Sequence, residues 1–182
     1  MVAGQTTIAS KVDAALDSWA SRNNTRVAVL KITANPVPLL ASIAESNGEP
    51  DIRRSRAIAL LATFKVTTSE RALIQLVDDS TPKFRCLALQ SLTELNSHVA
   101  LPVLVRKLDD KAICMKLTMT DPAREQEVYV SDEAVRLLEM ITGQTFGKEP
   151  KAGHRATNPW KEWWSKQRLA SQLHLPTFEA QV

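Results

Sequence analysis

Histidine and cysteine side chains are the first candidates for chemistry in this chain. The three histidines, His98, His154 and His174, are far apart, and none lies at a spacing that metal ligands use. The sequence contains no HExxH motif, no CxxC motif and no glycine-rich phosphate loop. We therefore expect no catalytic residue, no metal site and no cofactor, and a protein that is not an enzyme.

The two cysteines, Cys86 and Cys114, each lie among apolar neighbours. A thiol in such surroundings is a weak nucleophile and behaves as a small apolar side chain. We expect two reduced, buried thiols in a cytoplasmic protein. A disulfide between adjacent repeats is the alternative, although nothing in the spacing demands it.

A group of basic residues is the first candidate binding surface. The residues recur at the starts of the second helices of two successive predicted pairs and could form a ladder that meets phosphates or an acidic protein; they are Arg53, Arg54, Arg56, Lys83 and Arg85. The alternative is that they are solvated, with one arginine per repeat bonded to a neighbouring Asp-rich turn. The net charge of +3, from 23 basic and 20 acidic residues, is smaller than a dedicated nucleic-acid binder requires.

A segment of alternating residues is the second candidate surface. Met115, Leu117 and Met119 alternate with polar residues, and a second alternating stretch ends in Tyr129-Val130. This period of two predicts a β-hairpin or an extended loop within residues 112–130. Its methionines and Tyr129 could form an adaptable docking surface. Alternatively, the same side chains pack the hairpin onto the helices.

The elements that position these residues follow from a repeat. Val77-Asp78-Asp79 and Leu108-Asp109-Asp110 each close a helical segment, 31 residues apart. Such a period predicts helical hairpins that bury their apolar faces only by stacking on each other. The third unit is 15 residues longer, and the hairpin segment accounts for the extra length.

From Pro36 to Ile141 the chain resembles HEAT repeats. The resemblance lies in a proline or polar residue before each first helix, an Asp-rich turn between helices, and an arginine with a small residue in the second helix, as in Arg85 and Ala88. It implies an all-α superhelix of antiparallel helical hairpins. Trp160, Trp163 and Trp164, after Phe146-Gly147, resemble the C-terminal cap of some bacterial HEAT-like proteins. They are expected to close the end of the stack, and the alternative is an exposed patch that docks a partner.

These observations predict a domain at residues 1–150 and, at 151–182, a polar linker, a capping helix that carries the tryptophans, and a tail. The resemblance implies a non-enzymatic protein-interaction scaffold, whose partner we expect to be a protein with an acidic surface. HEAT-like folds also include DNA-repair glycosylases and bilin lyases. The alternatives are therefore a nucleic-acid binder that uses the basic face, and a ligand-binding protein with a deep apolar pocket between the insertion and the helices. No signal peptide or membrane span is apparent, so we expect a cytoplasmic protein without a membrane partner.

Overall fold

A computed structural model describes residues 7–120, 123–147 and 154–173, and the side chains of all of these except residues 119–120, 123–124 and 170–173. The predicted all-α superhelix with a β-hairpin insertion is confirmed. The described elements, in chain order, are α1 (Ile8–Asp17), α2 (Arg22–Ile32), α3 (Val37–Glu45), α4 (Asp51–Leu61), α5 (Thr67–Leu76), α6 (Pro82–Glu94), α7 (Ala100–Arg106), a 3-10 turn (Lys107–Asp109), β1 (Ile113–Thr120), β2 (Ala123–Tyr129), α8 (Val130–Thr142) and α9 (Asn158–Leu173).

Consecutive helices form the stacked pairs α1–α2, α3–α4, α5–α6 and α7–α8. The second helices α4, α6 and α8 contact one another in that order and form one layer, and α3 contacts α5 in the other layer. The apolar stripe of each helix is buried in one continuous core between these layers. Because a pair buries its apolar face only against its neighbours, the stack is stabilised from one repeat to the next.

Local sequence signals set the helix boundaries. The Ser21 hydroxyl accepts a hydrogen bond from the Asn24 backbone N–H at 3.2 Å, so α2 begins at Arg22. Pro82 occupies the first position of α6, where its missing N–H costs nothing. Gly143 ends α8 with φ of 69°, a left-handed conformation that glycine adopts without strain.

The insertion is an antiparallel hairpin between α7 and α8. Its register pairs Met115 with Val128 and Leu117 with Gln126. A bulge interrupts the pairing between Ile113 and Met115. Met119 pairs through its backbone in β1, but its side chain lies outside the described part of the structure. The expected position of the insertion, residues 112–130, is confirmed.

A disulfide joins Cys86 of α6 to Cys114 of β1, with a Cα–Cα distance of 6.3 Å. The expectation of two reduced thiols is therefore wrong, and the alternative of a bond between adjacent repeats is correct. Cys114 lies in the bulge, and a bulge breaks the alternation of faces along a strand. Cys114 can therefore turn towards α6 although its neighbour Met115 also faces the helices.

The tryptophan-bearing helix α9 packs against α7. Trp160 is completely buried in the core, and Trp163 is partly buried against it. The Trp160 ring packs edge-to-face against Phe146 and against Trp163, with centroid distances of 4.8 and 5.5 Å, respectively. This burial is what a terminal cap requires, because the last repeat would otherwise expose its core. Trp164 is partly buried beside Trp163. The proposed division at residue 150 lies outside the described residues and stays a prediction.

Candidate functional site

Two of the basic residues expected to face a partner are engaged inside the chain. Arg53 reaches Asp17 at 2.7 Å and Glu49 at 2.6 Å. These hydrogen bonds hold the pKa of Arg53 above its usual range, and the bond from Arg53 lowers the pKa of Asp17. Arg56 donates to the backbone carbonyls of Leu16 and Asp17 at 2.7 and 2.9 Å. Both arginines therefore hold α1 against α4.

Two further arginines link successive repeats. Arg54 donates to Asp79 at 2.5 Å, and Arg85 Nε lies 3.1 Å from Asp110 Oδ2. Each pair spans 25 residues, so the arginine of one repeat binds the Asp-rich turn of the next. This is the alternative that the sequence left open, and it is confirmed. We call these two ion pairs the rungs.

Lys83 is more exposed than the other ladder residues that form ion pairs, Arg53, Arg54 and Arg85. Its ammonium group lies 3.5 Å from Asp51, and both side chains are largely exposed. An exposed pair of this kind holds its partner only weakly. A partner-binding role for the ladder stays a prediction, and Lys83 is the residue through which it can be tested without breaking a rung.

A cleft lies beneath the β-hairpin, with a volume of about 340 Å³. Its roof is the helix-facing side of the hairpin, which carries Met115, Leu117, Gln126 and Val128. Its floor is formed by side chains of α6, α8 and the segment before α9, namely Gln90, Asp132, Glu133, Arg136 and Arg155. We call this the hairpin cleft. Its volume is at the small end of the range for ligand sites, about 300–1,000 Å³.

The roof of the hairpin cleft is apolar and accessible. Met115 is 42% exposed and Leu117 is 39% exposed. On the opposite face of β1, Lys116 lies 3.5 Å from Glu127 in an exposed pair. The hairpin therefore keeps its charges on the outer face and offers apolar side chains to the cleft.

The carboxylates of the floor already accept several hydrogen bonds from within the chain. Glu133, although only 5% exposed, accepts from Gln90 Nε2 at 2.8 Å and from Arg136 Nε and Nη2 at 2.8 and 2.5 Å. The bond to Glu133 raises the pKa of Arg136. Asp132 accepts from the backbone N–H groups of Tyr129 and Arg155 at 3.1 and 2.9 Å. These hydrogen bonds hold the two carboxylates in fixed orientations in the floor of the cleft.

Arginine side chains supply the accessible polar edge of the cleft. The Arg136 side chain is 44% exposed, and that of Arg155 is partly exposed beside its partner Glu139. Tyr129 stacks on His154 with a centroid distance of 4.2 Å, and His154 Nδ1 lies 2.8 Å from Asp132. Tyr129 thus supports the floor, whereas Met115 lines the cleft itself. The geometry favours recognition of a partly apolar, partly polar surface.

Sequence reasoning identified the roof but missed the floor. Gln90 and Glu133 are 43 residues apart, and nothing in their local sequences marks them as partners. The one available signal is an Asp-Glu pair followed by arginine at the start of α8, which sequence reasoning interpreted only as a helix cap. Within residues 7–120, 123–147 and 154–173, no group of three or more His, Cys, Asp or Glu residues could hold a metal ion.

None of the described helices is by itself long and apolar enough to cross a membrane. The pair α2 and α3 reaches that length and composition only when its two members, bent by 117° at their junction, are counted together.

The comparison with protein families identifies the repeats. A family model of HEAT repeats matches residues 37–113, from the start of α3 to the first residue of β1. This part of the chain is similar to HEAT repeats. The rungs and Gln90 lie within the matched residues, whereas the other residues that line the hairpin cleft follow them. No curated protein and no solved structure matches the chain. HEAT repeats commonly mediate protein–protein interactions and are generally non-catalytic.

Proposed function

We propose that this chain is a non-enzymatic protein-binding module that receives a partner segment in the hairpin cleft. The observation that carries the proposal is the accessible apolar roof, Met115 and Leu117, above a floor whose charges are already organised. Insertions in repeat proteins are often used for binding, because they change one face without disturbing the stack. Apolar side chains at the centre with polar groups at the rim are the usual anatomy of a protein interface.

An acidic partner surface is the finer part of the proposal. The floor carboxylates Asp132 and Glu133 are buried and bonded to donors of the chain, whereas the side chains of Arg136 and Arg155 are partly exposed. A partner carboxylate or carbonyl would accept from Arg136 or Arg155, while an apolar side chain covers Leu117. The nucleic-acid alternative has less support, because Arg53, Arg54 and Arg85 already have carboxylate partners.

The third alternative, a ligand-binding site between the insertion and the helices, has one observation in its favour. Side chains do not fill the space there, which is the hairpin cleft. Its lining is mixed, however, with Glu133 and Arg136 in the floor, and a bilin-type ligand would prefer the deep apolar pocket that the resemblance implies. We therefore favour a protein segment as the occupant.

Replacing Leu117 with Gln should abolish partner capture, because it removes an apolar contact from the roof without adding charge. The bait is the full chain, partners from the native host are identified by mass spectrometry, and affinities are then measured with the purified partner. We expect at least a tenfold loss, roughly the effect of truncating an interface hot spot. Thr118→Gln is the matched control, since Thr118 is exposed on the outer face of the same strand.

The proposal would be wrong if the Leu117→Gln bait retains the same partners with the same affinity as the Thr118→Gln bait. Lys83→Glu tests the basic ladder in the same experiment. Loss of capture by Lys83→Glu with retention by Leu117→Gln would transfer the function to the ladder. Charge reversal at Arg53 or Arg85 is a poorer probe, because each arginine forms ion pairs that stabilise the fold.

Cytoplasmic location is also a proposal. The disulfide argues against a reducing cytosol, where such bonds rarely persist. Alkylation of free thiols during extraction, followed by peptide mass spectrometry of Cys86, tests both the disulfide and the cytoplasmic location. A disulfide-linked Cys86 in the native host would count against the cytoplasmic proposal.

A further inference from the structure

A second cleft lies at the turns that join the helices, away from the hairpin. It has a volume of about 450 Å³ and is bounded by Arg26 and Leu30 of α2, by Val37 at the start of α3, and by residues 63–66 between α4 and α5. We call it the turn cleft. It shares no lining residue with the hairpin cleft. A role for it is therefore independent of the proposed function.

Arg26 is the unusual residue of the turn cleft. Its guanidinium group lies over the Phe64 ring, 5.1 Å from the centroid, and its Nε is buried without a hydrogen-bond partner in the part of the chain that the structure describes. Arg22, one helical turn earlier, is paired with Glu94. Among the described residues, no carboxylate forms an ion pair with Arg26. A buried donor without an acceptor is unfavourable, and an acceptor supplied by a ligand would remove that deficit.

The lining of the turn cleft is positive wherever it is charged. Arg26 and Lys65 are its charged members, and no acidic residue lies among the described residues that line it. Val37 is the first residue of α3 and Val66 is the N-cap of α5, and neither helix start has a side-chain cap. The unpaired N–H groups of these helix starts add further positive potential. The cleft therefore suits an anion.

Apolar surface surrounds this positive lining. Leu30 is 37% exposed and Val66 is 48% exposed. Lys65 and Val66 also line a neighbouring cleft of about 360 Å³ that extends to residues 95–98, between α6 and α7. That cleft includes Glu70, which accepts a hydrogen bond from the Ser97 hydroxyl, so the positive lining is confined to the turn cleft. The two clefts together form a path along one edge of the repeat stack. An extended chain fits such a path better than a small compact anion does.

We infer that the turn cleft binds an extended protein segment that carries a carboxylate next to an apolar side chain. The carboxylate accepts hydrogen bonds from Arg26 and from the Lys65 ammonium group. The apolar side chain covers Leu30 and Val66, and the segment continues towards residues 95–98. The carboxylate has two possible sources, an Asp or Glu side chain or the C-terminus of the bound segment, and both offer the same chemistry.

Three synthetic peptides test the inference on the full chain. The first is acetylated and amidated with a central Leu-Asp, the second has Leu-Asn in its place, and the third has Leu-Asn and a free C-terminal carboxylate. Binding is followed by the NMR signals of the Arg26 side-chain Nε–H and of the Thr67 backbone amide, which begins α5. We expect the Leu-Asp peptide to move both signals and to bind about tenfold more tightly than the Leu-Asn peptide, because charged acceptors make the stronger hydrogen bonds. Equal or tighter binding of the third peptide assigns the site to a C-terminus.

Variants locate the effect within the chain. Arg26→Ala should abolish the shift of Thr67, while Arg71→Ala, at an exposed position of α5, should leave it unchanged. Should Arg26→Ala lower stability, Lys65→Glu serves in its place, with Lys11→Glu on α1 as its control, since both lysines are exposed. Leu117→Gln should not alter peptide binding, which separates this site from the hairpin cleft. The inference is overturned if neither carboxylate-bearing peptide moves the Arg26 Nε–H signal at millimolar concentration, or if the amidated Leu-Asn peptide, which has no carboxylate, binds as tightly as both of them.

Discussion

Replacing Arg54 with Ala should lower the free energy of unfolding by about 3–5 kcal/mol, the loss expected when one member of a buried ion pair is removed. The Arg54 side chain is 4% exposed and that of its partner Asp79 is 8% exposed. Arg54 also donates to the buried carbonyl of Ala44 at 2.8 Å and lies 4.0 Å from the centroid of the Phe84 ring. The substitution leaves a buried carboxylate without its cation. Equilibrium unfolding in urea measures the effect.

An exposed ion pair provides the matched control for Arg54. Arg106 lies 2.9 Å from Asp78, in the same turn as Asp79, but the side chains are 52% and 51% exposed. Arg106→Ala should therefore cost at most about 1 kcal/mol. If Arg54→Ala costs no more than Arg106→Ala, the rung does not hold the repeats together.

A double variant separates the buried charge from the lost packing. Asp79 Oδ1 accepts from the Thr81 backbone N–H at 2.8 Å, and an asparagine can keep this bond. Arg54→Met combined with Asp79→Asn removes both charges and preserves that contact. We expect it to recover about 1–2 kcal/mol or more of the Arg54→Ala loss, because no unpaired charge then remains in the interior. Failure to recover would place the loss in the packing against Phe84.

The rungs show what a repeat sequence reveals in advance. A solenoid is built from local units, so equal spacing of residues predicts equal spacing of contacts. The 31-residue offset that relates Asp79 to Asp110 also relates Arg54 to Arg85. An arginine bonded to a neighbouring Asp-rich turn could therefore be predicted. Which arginine does so depends on helix phase, and the basic cluster at the start of α4 contains three candidates.

Other features depend on contacts that no local pattern encodes. The hydrogen bond from Gln90 to Glu133 forms only because α6 and α8 pack side by side. The bond from Cys114 to Cys86 depends on the irregular pairing between Ile113 and Met115, which the alternation of residues does not reveal. Among the described residues, Arg26 has no carboxylate partner. The local sequence does not show this, because it depends on where the acidic residues lie in the folded stack.

Removal of the disulfide should lower stability by about 3–4 kcal/mol, from the entropy of a closed loop in the unfolded chain. The bond links residues separated by 28 positions, and replacing both cysteines with Ala removes it without burying a new polar group. Urea unfolding with and without dithiothreitol measures the effect. The reductant should destabilise the wild-type chain and leave the double variant unchanged. Reaction of both cysteines with iodoacetamide in the native protein, without reductant, would show that no bond exists.

Loss of the same bond should also loosen the hairpin cleft. Cys86 lies one helical turn before Gln90 on α6, and Cys114 precedes Met115, so the bond fastens the roof to the floor at one end of the cleft. Without it, the base of the hairpin keeps the backbone bonds from Val130 to Ala112 and from Ser131 to Asp110, at 3.0 and 2.9 Å. Hydrogen exchange at residues 115–118 and 125–128 should therefore become faster in the double variant. Exchange in α3 and α4 should stay the same at low denaturant, because local opening of the hairpin leaves the repeat core folded.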